Sequence, residues 1–327
     1  IWGVGMSLMA LGLLLWIANR WLKLLSVVFI VLIFFPTPIV KRLMHQHNVR
    51  ETNYFTINVT ESEYEGEKVL KLFLDQLLHS YTFVNDPTRL KYEYLKMYAW
   101  ITTYHTQDRD SLNALLIGGG GYTFPIYLEA NYPNCTIHVI EIDPEVTEVA
   151  HDRLGLSRDT KIVSYNLDAR MYIAREPTET YDLIFADAFN DFSVPFHLTT
   201  WEFHEQIKRW LADDGIYLIN LVDGHEARFL SAYTHTLRQS FRYVYAGIDD
   251  YNWRKYRSTY VLAASDQPFD FVAMGAANQG VEPTEHRLMT TAQTAAVLDK
   301  GDAVLLTDNY APVDQLLAAV FRDSGED

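Results

Sequence analysis

Three acids close successive apolar runs in this chain. Glu141 ends a run over 136–141, Asp168 follows a run over 160–164 by a short loop, and Asp187 follows Tyr181–Ala186. Ahead of them the run Leu112–Ile117 enters Gly118-Gly119-Gly120-Gly121. Glycines let backbone N–H groups approach a ligand that any Cβ would block, and an acid ending the next strand can accept both hydroxyl protons of a ribose. Asp143 shares the end of that second run with Glu141, and Asp168 could accept from the exocyclic amine of an adenine. Each acid alone reads as a loop residue or a helix cap. Three in register with a glycine turn describe one nucleoside crevice, since ligands of open α/β sheets bind beyond the carboxyl ends of the strands. A dinucleotide fingerprint wants a third, spaced glycine, but Phe124-Pro125-Ile126 fills that place. The pyrophosphate reading weakens accordingly, and an adenosyl sulfonium remains.

The elements that must position these residues alternate. Strands are expected at 112–117, 136–141, 160–164, 181–186, 215–222, 242–248 and 258–264, with helices at about 123–131, 144–154, 168–174, 199–212 and 225–240. Nearly continuous apolar strands between helices predict an α/β fold with a doubly wound, mostly parallel, seven-stranded sheet, Rossmann-like and similar to class I methyltransferases. The last two strands should form an antiparallel hairpin at one edge. Before this domain, the β-rich runs Tyr54–Thr60, Lys68–Leu74 and Leu77–Val84 predict a small antiparallel region over 52–84. Asp86-Pro87 is expected to open a helix running to about His105, with the main domain spanning 85–327. Helical patterning over Thr284–Leu298 and Val313–Phe321 closes the chain.

Residues 1–42 differ in kind. Ile1–Ala18 and Leu24–Val40 carry no charge, Arg20 and Lys23 lie between them, and Trp2, Trp16 and Trp21 suit interfacial positions. Each run is about 17–18 residues, the low end of what crosses roughly 30 Å of hydrocarbon. The expectation is a transmembrane helical hairpin. Because the chain opens on Ile1 rather than Met, that hairpin reads as the end of a longer membrane region. Basic residues at Lys41, Arg42 and Arg50 lean towards a multi-pass protein of the cell membrane with a cytoplasmic catalytic domain.

Composition narrows the partners. The 327 residues carry a net charge of −15, a field that repels nucleic acid and attracts cations such as organic polyamines. Cys135 is the single cysteine, which excludes an internal disulfide and any Cys-based zinc cluster. His79, His197 and His204 do not pair with carboxylates at a ligand spacing, so no metal is expected. Asp249 and Asp250, with Tyr251 and Trp253, read either as an acidic–aromatic clamp for an amine or as a solvated turn. Asp308, Tyr310 and Asp314 around Pro312 read as a helix start.

Leu-Leu-Ile-Gly-Gly-Gly-Gly, Val-Ile-Glu-Ile-Asp-Pro-Glu-Val, Asn-Leu-Asp-Ala-Arg and Tyr-Asp-Leu-Ile-Phe-Ala-Asp-Ala-Phe-Asn-Asp together resemble the spermidine synthase family of polyamine aminopropyltransferases over roughly 52–265. Ser-Val-Pro-Phe-His-Leu-Thr-Thr-Trp-Glu-Phe and Leu-Thr-Asp-Asn-Tyr-Ala-Pro-Val-Asp resemble its membrane-attached variant. The resemblance implies aminopropyl transfer from decarboxylated S-adenosylmethionine to a polyamine such as putrescine. In that reading Gly118 to Gly121, Glu141, Asp143, Asp168 and Ala169 hold the donor, and Asp187 takes the proton of the attacking amine. Tyr92, Tyr122, Asn190, Asp191 and His197 would line the acceptor site, and a homodimer is possible.

The chain also departs from that family. Its pattern Gly-Gly-Gly-Asp-Gly uses an aspartate to grip the donor's free amine, and Gly121 with Tyr122 stands there instead. Leu-Asp-Gly-x-x-Gln becomes Leu74-Asp75-Gln76-Leu77-Leu78-His79, and Tyr-His-Glu becomes Lys91-Tyr92-Glu93. Losing the amine-gripping acid removes about 1.5–3 kcal/mol. Ordinary S-adenosylmethionine, and methyl transfer to an amine or another small nucleophile, is therefore an alternative. A non-catalytic nucleoside- or polyamine-sensing domain is another.

Overall fold

A computed structural model describes residues 49–188, 194–249, 257–298 and 304–322. The chain divides into two compact units, Ile1–Glu51 and Thr52–Asp327. Of the first, only the short strand β1 (Val49–Glu51) falls among the described residues. The apolar hairpin expected over 1–42 lies outside them. Among the described residues no helix is long and apolar enough to cross a membrane.

The second unit opens with three antiparallel strands, β2 (Thr56–Tyr64), β3 (Glu67–Leu74) and β4 (Leu77–Phe83). Alternation places Ile57, Val59, Leu70, Leu72 and Leu74 in the interior, and the polar faces outward. Helix α1 (Glu93–Thr106) starts six residues later than the expected Pro87 start. The Asp86 carboxylate is used inside its own turn, accepting from the Thr88 N–H at 2.9 Å and the Thr88 hydroxyl at 2.6 Å. Arg89 then pairs with Glu65 and Glu67, holding the turn against the β2–β3 hairpin.

The main elements follow in alternation: β5 (Leu112–Ile117), α2 (Thr123–Asn131), β6 (Cys135–Ile140), α3 (Pro144–Arg153), β7 (Val163–Tyr165), α4 (Ala169–Ile173), β8 (Tyr181–Ala186), α5 (Trp201–Trp210), β9 (Leu211–Asp223), α6 (Arg228–Ser240), β10 (Tyr243–Asp249) and β11 (Ser258–Ser265). After α7 (Phe271–Ala277) come β12 (His286–Leu288), α8 (Thr291–Leu298) and α9 (Val313–Arg322). The sheet has eight strands, in the order β12-β10-β11-β9-β8-β5-β6-β7, not the seven expected. Strands β9, β8, β5, β6 and β7 are parallel, while β11, β10 and β12 add antiparallel.

The eighth strand comes from the segment whose sequence reads as helical from Thr284. A capping box sets the true helix start: the Thr290 hydroxyl accepts from the Gln293 N–H, and the Gln293 side chain accepts from the Thr290 N–H at 2.9 Å. Residues before that box are free to pair, and Leu288 lies opposite Gly247.

Chain order reverses beside β5, with β6 and β7 laid down on one side and β8 and β9 on the other. The glycine run therefore leaves the sheet at its switch point, where a crevice opens between diverging connections. One face of the sheet packs on β2–β4, α1, α2 and α3, with Tyr98, Phe124 and Phe185 at its centre. The other face packs on α4, α5, α6, α8 and α9 around Phe203, Trp210 and Tyr233.

Candidate active site

Register explains why residues far apart in sequence meet. Ile117 lies beside Ile140 on one side and Ala186 on the other, so these three residues end their strands at one level of the sheet. The next residue of each strand is Gly118, Glu141 and Asp187. Backbone hydrogen bonds continue across them, Gly118 N–H to Ile140 O and Asp187 N–H to Ile117 O, both at 2.8 Å. A rim of one glycine and two carboxylates results.

Gly118 cannot be replaced cheaply. Its φ is +97°, and a Cβ there would lie 2.4 Å from the Asp187 carbonyl oxygen. The turn that follows wraps Glu141, whose Oε2 accepts from the Gly119 and Gly120 N–H groups at 2.8 and 3.2 Å. Its Oε1 accepts from the Asp143 N–H at 3.0 Å. Burial pushes the Glu141 carboxyl above the ordinary carboxylate range, against the pull of these three bonds. A carboxylate offers about four acceptor sites, so one direction stays open for a ligand hydroxyl.

Asp187 is held from two elements. Its Oδ2 accepts from the Tyr94 hydroxyl of α1 at 2.9 Å, and its Oδ1 accepts from the Asn220 amide of β9 at 2.8 Å. Desolvation raises its pKa, and the two hydrogen bonds bring it part of the way back. Burial raises the Tyr94 phenol well above its usual value, and the neighbouring Asp187 raises it further, so Tyr94 stays a donor.

Two cavities meet at this carboxylate. One, of ≈ 330 Å³, is lined by Phe55, Ile142, Leu167, Glu141, Asp168 and Leu198, among others. The other, of ≈ 270 Å³, is lined by Tyr92, Tyr94, Tyr98, Phe124 and Asn220 and by the glycine turn. Asp187, His79, Gly118 and Gly120 line both. Burial lowers the His79 pKa, which Asp75 partly offsets, so its imidazole favours the neutral form. The first cavity has the mixture an adenosine requires, apolar walls with acids at its rim. The second is aromatic and opens onto Asp187.

Other sequence-selected residues fall in three groups. Asp168 caps α4 by accepting from the Met171 N–H at 3.0 Å, faces the first cavity with Ala169, and has His197 Nε2 3.4 Å from its Oδ2. Tyr92 lines the second cavity. Asp143 and Tyr122 line neither. Asp143 caps α3, accepting from the Glu145 N–H, and its other oxygen accepts from the Thr52 hydroxyl at 2.6 Å, so its two oxygens are committed to structure. Tyr122 is wholly buried with φ +57° and lies under the glycine turn, its hydroxyl engaged with Thr147 and Ser164. Asn190, Asp191, Asp250, Tyr251 and Trp253 lie outside the described residues.

Several side chains at or beside the two cavities escaped the sequence reading. Asn220 carried a signal, a polar residue interrupting the apolar run of β9. Tyr94 and Tyr98 carried a weaker one, aromatics four apart on one helix face. Arg170 carried none: it donates to the His197 carbonyl at 2.7 Å and to the Thr200 hydroxyl at 3.0 Å, and pairs with Asp308. Asp308 thus ties the C-terminal segment to the first cavity's wall and is not a helix-start residue. Metal-type ligands converge elsewhere, at His105, Asp182 and Asp214. There the Arg109 guanidinium bonds both carboxylates and occupies a cation's electrostatic place.

No family model matches the chain. A polyamine aminopropyltransferase of Vibrio vulnificus is 35% identical over 108 residues, covering 32% of this chain and 36% of that protein. The eEF1A lysine and N-terminal methyltransferase of Bos taurus is 28% identical over 121 residues, covering 34% of this chain and 17% of that protein. The chain thus spans about a third or less of the length of these curated relatives, and both are transferases. A probable spermidine synthase from Corynebacterium glutamicum superposes with a TM-score of 0.71 at 21% identity, over 81% of this chain and 97% of that one. Over about a third of its length the chain is thus similar to polyamine aminopropyltransferases and to methyltransferases, and its fold is that of the spermidine synthase it superposes on.

Proposed function

We propose that this chain is an adenosyl-sulfonium-dependent transferase that alkylates an amine, with Asp187 as the proton acceptor. The observation that carries this reading is the position of Asp187 where an adenosine-sized cavity and an aromatic cavity meet. In the reaction the amine lone pair forms an N–C bond as the C–S bond breaks. The sulfur keeps the bonding pair and leaves as a neutral thioether, and the ammonium proton passes to Asp187. A carboxylate with a raised pKa suits that transfer, since a general base works best when its pKa approaches the working pH. Holding nitrogen, carbon and sulfur in line supplies much of the remaining rate by removing the entropy of encounter. Glu141 would hold the ribose, Asp168 the adenine amine, and Tyr92, Tyr94 and Tyr98 the face of a small cationic acceptor.

Aminopropyl transfer to a polyamine such as putrescine is one form of this reading, supported by the similarity to a probable polyamine aminopropyl transferase of Bifidobacterium longum and a polyamine aminopropyltransferase of Vibrio vulnificus. Methyl transfer is the second, favoured by the absence of an acid at Gly121. The test is turnover with each donor against a panel of amines, followed by mass spectrometry. A product heavier by one aminopropyl or one methyl group on nitrogen is expected. Tight nucleoside binding with no product from any amine would replace the enzyme reading with a sensor.

A further inference from the structure

We infer that Ser80 sets the donor's tail: it bars an acid from the glycine turn, so that the site takes a sulfonium whose tail keeps its carboxylate. The inference rests on the adenosyl reading above and, of its two forms, selects the one whose donor keeps its carboxylate. Gly121 does not need glycine for its backbone, since its φ is outside the left-handed region. Space is what forbids a side chain. A Cβ on Gly121 would lie 1.9 Å from Ser80 Oγ and 2.6 Å from Ser80 Cβ. Gly121 and Ser80 are therefore a matched pair across the β4–turn contact, and an aspartate at 121 cannot enter while Ser80 stays.

The Ser80 hydroxyl is itself informative. Ser80 is 5% exposed, lines the second cavity, and its Oγ has no hydrogen-bond partner among the described residues. A buried hydroxyl left unpaired is costly, so a bound group that accepts from it is favoured. The Thr123 hydroxyl beside it, 3.5 Å from the same Cβ position, already donates to the Tyr81 carbonyl at 3.4 Å, which leaves Ser80 with the uncommitted proton. An uncommitted hydroxyl proton of this kind suits a carboxylate. The same oxygen could accept from an ammonium, so the choice between the two tails falls to the charge of the cavity.

Charge points the same way. Among the described residues lining this cavity Asp187 is the only carboxylate. A decarboxylated donor brings a sulfonium and an ammonium, and the attacking amine already claims Asp187. A donor with an intact amino-acid tail brings one net positive charge and a carboxylate that Ser80 can serve.

Calorimetry on the full chain tests this with three product-type nucleosides: S-adenosylhomocysteine, its decarboxylated analogue S-adenosyl-3-thiopropylamine, and 5′-methylthioadenosine, which lacks the tail. The wild type should prefer S-adenosylhomocysteine over the amine analogue by about tenfold or more. Ser80→Ala should weaken S-adenosylhomocysteine about tenfold and leave methylthioadenosine unchanged. The double variant Ser80→Gly with Gly121→Asp, which clears the space and restores the acid, should reverse the preference. A wild-type preference for the amine tail, or a Ser80→Ala variant that binds all three as before, overturns the inference while leaving the adenosyl reading intact. Failure of all three nucleosides to bind overturns both.

Discussion

The Tyr94 hydroxyl and the Asp187 carboxylate lie 2.9 Å apart, joining the first long helix to the end of a central strand. This bond stabilises the charged form of Asp187, the only form that can accept a proton. Tyr94→Phe should push the Asp187 pKa further up, so the base is lost at a higher pH. The acid limb of the kcat/KM profile should move upward by about one pH unit, with a smaller change on the alkaline plateau. A pH–rate series on both proteins reads this directly.

Glu141 bonds the glycine turn and leaves one acceptor direction for a ribose. Glu141→Gln keeps the shape but removes the charge and converts part of the acceptor surface to a donor. Affinity for S-adenosylhomocysteine should fall about ten- to hundredfold, measured by calorimetry. Unchanged affinity would remove Glu141 from the donor site.

Gly118 combines a left-handed φ with a carbonyl 2.4 Å from any added Cβ. Gly118→Ala should destabilise the fold by about 2–4 kcal/mol, read from urea unfolding, and should also misplace Asp187. Gly120→Ala, with φ +48° but open space around it, should cost less.

Asp223 offers a prediction of pH dependence away from the chemistry. It is 2% exposed and accepts from the Gly224 and Leu230 N–H groups, yet burial pushes its pKa up to about 6. A carboxyl whose folded pKa is raised contributes most below its unfolded value and loses that contribution as pH rises through about 6. Asp223→Asn keeps an acceptor and removes the buried charge. The gain in melting temperature over wild type should be larger at pH 8 than at pH 5, and should vanish only below the unfolded carboxyl's pKa.

Much of this architecture was legible in the residues. β5 and β8 were readable to the residue because they are nearly continuous apolar runs, broken only by Asn113 and Asp182 near their starts and ended by glycine or acid, the pattern of strands buried on both faces. Glu141, Asp168 and Asp187 were legible as a set because each follows such a run, and sheet register does the rest. What was hidden depends on contacts between distant segments. The late start of α1 follows from Asp86 bonding Thr88, which competes with the helix cap the sequence suggests. The eighth strand follows from a Thr290–Gln293 capping box that shortens an otherwise plausible helix. Tyr122 was misplaced for a related reason: its left-handed backbone turns the ring beneath the glycines, which no spacing rule reveals. Ser80 carries no motif, and only its distance from Gly121 gives it meaning.

The most direct test of the central claim is paired binding and turnover on Asp187→Asn. An asparagine keeps the size of the side chain but cannot take the amine proton. Nucleoside affinity should stay within about threefold of wild type, while turnover of the best amine should fall about 10²- to 10⁴-fold. Wild-type turnover by this variant would contradict the assignment of Asp187 as the base at the junction of the two cavities.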